Sequence, residues 1–101
     1  MKVLHVIPSV APRDGGPSQV IGPMCRALLA AGADVTLATT DADGGGALSL
    51  PLGRLTSWQD VPCRVFHRDA TISFKYSRGL ARWLHQHAGE FNLVHAHAVL
   101  S

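Results

Sequence analysis

Charge is scarce in this chain: only 16% of its 101 residues are Asp, Glu, Lys or Arg, and the formal net charge is +2. So small an excess gives no electrostatic reason to expect a polyanion, and nucleic acid is not expected among the partners. Arg64, Arg68, Lys75, Arg78 and Arg82 come nearest to a basic cluster; they read as a solvated face, with a membrane-surface role left open. Cysteine is scarce too. Cys25 and Cys63 stand alone, without metal-ligand spacing, and are expected to be free, buried thiols of a reducing compartment. No stretch approaches a membrane span, and too few apolar residues separate Lys2 from Pro8 for the core of a signal peptide. A cytoplasmic protein is the expectation. Internal repeats and low-complexity tracts are missing, and an apolar fraction of 47% excludes a disordered arm.

Several catalytic signatures are absent as well. The dinucleotide fingerprint needs Gly-x-Gly-x-x-Gly and a P-loop needs a terminal Gly-Lys-Ser/Thr; Asp14-Gly15-Gly16-Pro17 supplies neither, which disfavours a nicotinamide enzyme or an NTPase. There is no nucleophile elbow and no Cys/His arrangement. Asp41 and Asp43 sit in a glycine-rich segment and read as turn formers rather than as an acid/base pair.

What is present is an alternation of apolar patterns. Val3 to Ile7 is a nearly continuous apolar run, the mark of a central parallel strand covered on both faces. From near Ser18, Val20, Met24 and Leu28 recur every four residues, broadened by Ile21, Cys25 and Leu29, and Gly32 stops the helix. Pro23 is expected to kink the first turn of that helix or delay its start. Asp34 to Thr39 is a β-branched second strand, Asp41 to Gln59 a long surface excursion, and Val61 to His67 a shorter third strand with Pro62 near its beginning. A second helix spans Ser77 to Ala88, capped by Ser73 or Ser77 and closing at Gly89, with Leu80, Leu84 and Ala88 on one stripe; Phe91 to His97 is the fourth strand. This order predicts an α/β protein: a Rossmann-like, doubly wound parallel sheet of about four strands and two helices. Right-handed crossovers then set the spatial order third, second, first, fourth.

In such a sheet ligands bind beyond the carboxyl ends of the strands at the point where the order reverses, here between the first and fourth strands. Two features converge there. The Pro8 to Ser18 segment joins a strand to a helix through Gly15 and Gly16, whose backbone can approach an anion closely while the helix start favours negative charge. His97 ends the fourth strand, where an imidazole can donate to a phosphate or a sugar hydroxyl. His95, two residues earlier, reads as a satisfied core histidine, and the His95/His97 pair lacks a third metal ligand. His85 and His87 are expected on the solvent side of the second helix, and His5 and His67 carry no signal of their own.

Taken together, Lys2-Val-Leu-His-Val-Ile-Pro8, Gly15-Gly16-Pro17-Ser18, Leu28-Leu-Ala-Ala-Gly32-Ala-Asp-Val-Thr36 and Thr39-Thr40-Asp41 resemble the opening of retaining glycosyltransferases of the GT-B fold. This is the large family that includes sucrose synthases and many bacterial polysaccharide enzymes. Phe74-Lys-Tyr-Ser77, Leu80-Ala-Arg-Trp-Leu84 and Phe91-Asn-Leu-Val-His-Ala-His97 look like later landmarks of the same bacterial branch, so the likeness covers nearly the whole chain. It departs from the pattern at Gly32-Ala33, where Gly-His is usual, and at Asn92, where Asp is common.

The resemblance implies transfer of a sugar from a nucleotide-sugar donor to a saccharide or lipid-linked hydroxyl acceptor, with retention and without a metal or other cofactor. It assigns the donor diphosphate to Gly15 and Gly16 and the reaction centre to His97, whose imidazole would act with backbone amides on charge developing at the leaving phosphate. Arg68 and Lys75 are candidate acceptor-side residues. Residues 1–101 correspond on this reading to an incomplete N-terminal, acceptor-side domain, without the C-terminal nucleotide-sugar-binding domain. Such a piece is expected to be marginally stable, inactive by itself and open at its fourth-strand edge; peripheral attachment of the whole enzyme to the inner face of a membrane stays open. The alternative is a non-catalytic Rossmann-like module that binds a phosphorylated ligand or a partner and completes its sheet by dimerising. A flavodoxin-like redox or receiver domain lacks its acidic pocket or flavin loops.

Overall fold

A computed structural model describes residues 1–7, 16–43, 46–47, 52–67 and 78–96. In chain order these form β1 (Lys2–Val6), α1 (Gly16–Ala30), β2 (Asp34–Thr40), the two-residue strands β3 (Ala42–Asp43) and β4 (Gly46–Ala47), β5 (Leu55–Trp58), β6 (Val61–Phe66), α2 (Arg78–His87), a 3-10 turn (Ala88–Glu90) and β7 (Leu93–Ala96). The main sheet has the order β5-β6-β2-β1-β7. Its four parallel strands follow the expected order, third, second, first, fourth.

The alternation of side chains across the strands divides the core in two. Val3, Ile7, Val35, Leu37, Val61, Cys63 and Val65 face Ile21 and Cys25 of α1. Leu4, Val6, Ala38 and Phe66 face the other way, toward Leu80, Trp83 and Leu84 of α2 and toward Phe91. One helix therefore covers each face, which is why β1 and β2 had to be apolar on both sides. Burial of a side chain such as Leu4 or Leu37 contributes about 2 kcal/mol.

Helix α1 begins at Gly16, earlier than Ser18, and runs through Pro23 to Ala30. The expected late start is corrected by the setting of the proline. Pro23 removes a single intrahelical bond, the one to the Gln19 carbonyl, and does so at an exposed residue. Gly22 serves a close approach: a Cβ there would lie 2.7 Å from Gln59 Oε1 and 3.4 Å from the Trp58 ring. Arg26 fastens the same contact by donating to the Gln59 carbonyl and to its Oε1, both at 3.1 Å. At the far end Gly32 adopts φ +96°, its N–H donating to Leu29 and that of Ala33 to Leu28, the paired bonds of a Schellman stop.

Two further expectations change. Within the Asp41 to Gln59 excursion, Leu55–Trp58 is a strand, pairing antiparallel with β6 so that the sheet has five strands and is mixed. Gln59 and Asp60 close this hairpin with φ of 50° and 64°, the positive values at both central positions that a two-residue type I′ turn requires. α2 ends at His87 and Gly89 lies in the 3-10 turn that closes it, where the stop was expected, and Ser73 and Ser77 lie outside the described residues. β7 is an edge strand exposed along its length, with Leu93 at 52% and Val94 at 42%. The expected open edge is thus found among the described residues, and His95 is exposed rather than a core histidine because no described strand lies beyond β7.

Candidate functional site

The site expected from the topology lies where the parallel strands end. There β1 gives way to Ile7, α1 begins, β2 ends in Thr39, Thr40 and Asp41, β6 ends before His67, and β7 ends at Ala96. Four polar side chains are buried among the described residues: His5, Thr39, Thr40 and Asp41. All four belong to the carboxyl halves of β1 and β2 or to the residue just beyond, while the interior nearer the amino ends is apolar.

Thr39 shares the α1 face of the sheet with Val35 and Leu37, level with the end of β1, since Ile7 N–H donates to the Ala38 carbonyl at 3.0 Å. Its Oγ1 is fully buried and has no hydrogen-bond partner. A hydroxyl left unmade in this way costs roughly 1–3 kcal/mol, so its presence calls for an explanation. It stands on the same face and at the same end as the first residues of α1, whose amides lack intrahelical partners.

His5 is buried on the same face, its ring 5.3 Å from that of His95 on the neighbouring strand and tilted by 40°. His5, which carried no signal of its own in the sequence, is thus the buried histidine because β1 is central, while His95 on the edge strand β7 is exposed. Asp41 is likewise no simple turn former. Its side chain is buried, its backbone N–H donates to Phe66, and its Oδ2 lies 3.1 Å from Nδ1 of His67. Both residues directly follow strands that the expected order makes neighbours, and that signal was available in the sequence. Asp43 pairs with Gly46 in the small β3–β4 ladder, in keeping with a turn.

Of the residues assigned by resemblance, Gly16 is the first residue of α1. Gly15, Arg68, Lys75 and His97 lie outside the described residues. Arg64 is not merely solvated, because its guanidinium lies 5.6 Å from the Trp83 ring centre on the α2 face. His87 is half-buried, stacked on Trp83 and 2.7 Å from Glu90 Oε2. Cys25 and Cys63 are free and buried; burial first, then the other thiol, pushes Cys63 up to about 12, and burial also raises Cys25. Thiols so desolvated are inert as nucleophiles. Among the described residues no three His, Cys, Asp or Glu side chains gather as a metal site, and no helix is long and apolar enough to cross a membrane.

Compared with known protein families, with curated proteins and with solved structures, the chain matches none of them.

Proposed function

We propose that this chain is the acceptor-side part of a retaining glycosyltransferase of the GT-B type, whose donor diphosphate rests against the start of α1. The observation that carries the reading is the concentration of buried polar side chains, with the unmade bond of Thr39, at the carboxyl end of an open α/β sheet. A phosphate oxygen at that place would meet the free amides of the helix start, with the buried Thr39 hydroxyl on the same face of the sheet. The sequence likeness supplies the rest: Gly15 and Gly16 at the diphosphate, His97 beside the donor sugar, Arg68 and Lys75 toward the acceptor. The acceptor is a saccharide or a lipid-linked hydroxyl compound. Preorganised donors at the leaving phosphate would stabilise its developing charge, the electrostatic contribution common to group-transfer sites.

The test is transfer from a panel of nucleotide sugars by a protein carrying this chain together with a nucleotide-binding domain, with His97→Ala alongside. Activity that falls at least a hundredfold in the variant supports the proposal; activity indifferent to His97 overturns its assignment, and absence of transfer or hydrolysis with every donor overturns the transferase.

The exposed edge at Leu93 and Val94 favours one second reading, a binding module that completes its sheet with another copy. Sedimentation of the 101-residue chain separates the two. A stable dimer that binds a phosphorylated ligand supports the module, whereas a monomer opposes it.

A further inference from the structure

We propose that Asp41 and His67 form a carboxylate-oriented imidazole that presents a free ring nitrogen to a hydroxyl-bearing ligand at the carboxyl edge of β2 and β6. The pair continues the sheet. Thr39 is level with Val65 and Thr40 with Phe66, so Asp41 and His67 are the next step of the same parallel register, locked by the 2.9 Å bond from the Asp41 N–H to the Phe66 carbonyl. Their environments differ sharply, since the Asp41 side chain is 7% exposed and that of His67 is 70% exposed.

The geometry dictates the chemistry. An ionised carboxylate only accepts, so the 3.1 Å contact requires His67 Nδ1 to carry the hydrogen. In the neutral ring Nε2 is then left as the acceptor, the reverse of the tautomer that free imidazole side chains favour in water. Holding a ring in one tautomer through a buried carboxylate is how an imidazole is prepared to take a proton or a hydrogen bond from a hydroxyl. This pair also stands at the end of the sheet where the buried polar side chains gather. The chemical class of ligand is a polyol or sugar hydroxyl. The inference does not depend on nucleotide-sugar transfer, because neither residue is assigned to the donor.

The experiment uses the whole chain labelled with ¹⁵N-histidine, at a pH where the rings are neutral, with long-range proton–nitrogen correlation spectra. His67 is expected with Nδ1 protonated and Nε2 bare, and Asp41→Asn, whose amide donates as well as accepts, is expected to shift it toward the Nε2-protonated form. Methyl α-glucoside, which carries no phosphate, is then added as the hydroxyl probe. A movement of the His67 Nε2 resonance, with His85 unmoved, supports the site. A wild-type His67 with Nε2 protonated overturns the pair as described, a measurement that does not depend on the variant folding. The expected tautomer without any response to the probe overturns the ligand and leaves a structural clasp. Loss of transferase activity elsewhere in the protein would bear on none of these outcomes.

Discussion

The two ends of the parallel sheet are built on different terms. At the amino end the chain satisfies itself: Asn92 Oδ1 accepts from the Lys2 N–H at 2.7 Å, the Asn92 N–H returns a bond to the Lys2 carbonyl at 2.8 Å, and Asp34 N–H donates to Met1. Gly32 and Ala33 close α1 with the two bonds of its stop. At the carboxyl end, polar side chains are drawn into the interior, and the Thr39 hydroxyl there is left without a partner. Hydrogen-bonding capacity that is buried and unused costs stability, and its place at the carboxyl end, among the described residues, is the contrast on which the proposed binding site rests.

Substitutions can break this contrast. The largest effect belongs to the interior that both ends share: Leu37→Ala should lower unfolding free energy by about 2–5 kcal/mol in a denaturant titration, because the void is walled by Ile21, Cys25, Val35 and Cys63 and cannot collapse. A loss below about 1 kcal/mol would mean that α1 is not packed as described. Alkali acts on the same interior. The Cys63 thiol keeps its proton in the folded chain up to about 12, against an ordinary value of 9.0, whereas the unfolded chain gives it up earlier. Its contribution is therefore complete below pH 9 and falls away between there and pH 12, by about 1.4 kcal/mol per unit, and unfolding midpoints measured across that window should decline.

At the amino end, Gly32→Ala should cost about 1 kcal/mol, since the +96° conformation penalises any Cβ although no neighbour obstructs one. At the carboxyl end the sign reverses. Thr39→Val removes the unpartnered hydroxyl at nearly constant shape and should raise the thermal midpoint, worth about 1 kcal/mol. Stabilisation at Thr39 alongside destabilisation at Gly32 is the contrast in its sharpest form; equal losses at both would erase it.

Much of this was legible in the sequence. Continuous apolar runs announced the central strands, four-residue spacing and a terminal glycine announced α1, and the order of elements led to the order of the parallel strands. The β5 hairpin was not legible. Its four residues are too short a pattern, and Gln59-Asp60 reaches positive φ without the glycine that normally signals such a turn. The exposure of His95 followed from the expected strand order, which already put the fourth strand at an edge, and the core reading of that histidine missed this consequence. Asp41 and His67 are separated by 26 positions, and their meeting was legible only through the expected neighbouring of their strands. The glycine loop and His97 rest on sequence likeness and on topology.

The central claim is that ligand enters at the carboxyl end of the sheet, against the start of α1. The most direct measurement is a titration of the ¹⁵N-labelled chain with inorganic pyrophosphate, followed by backbone amide resonances at constant ionic strength. The account predicts saturable shifts at Gly16, Thr39 and Thr40, with Lys2, Gly32 and Asn92 unmoved, and loss of those shifts in Thr39→Val. Shifts centred on the amino end, or equal and unsaturable shifts at both ends, would contradict it.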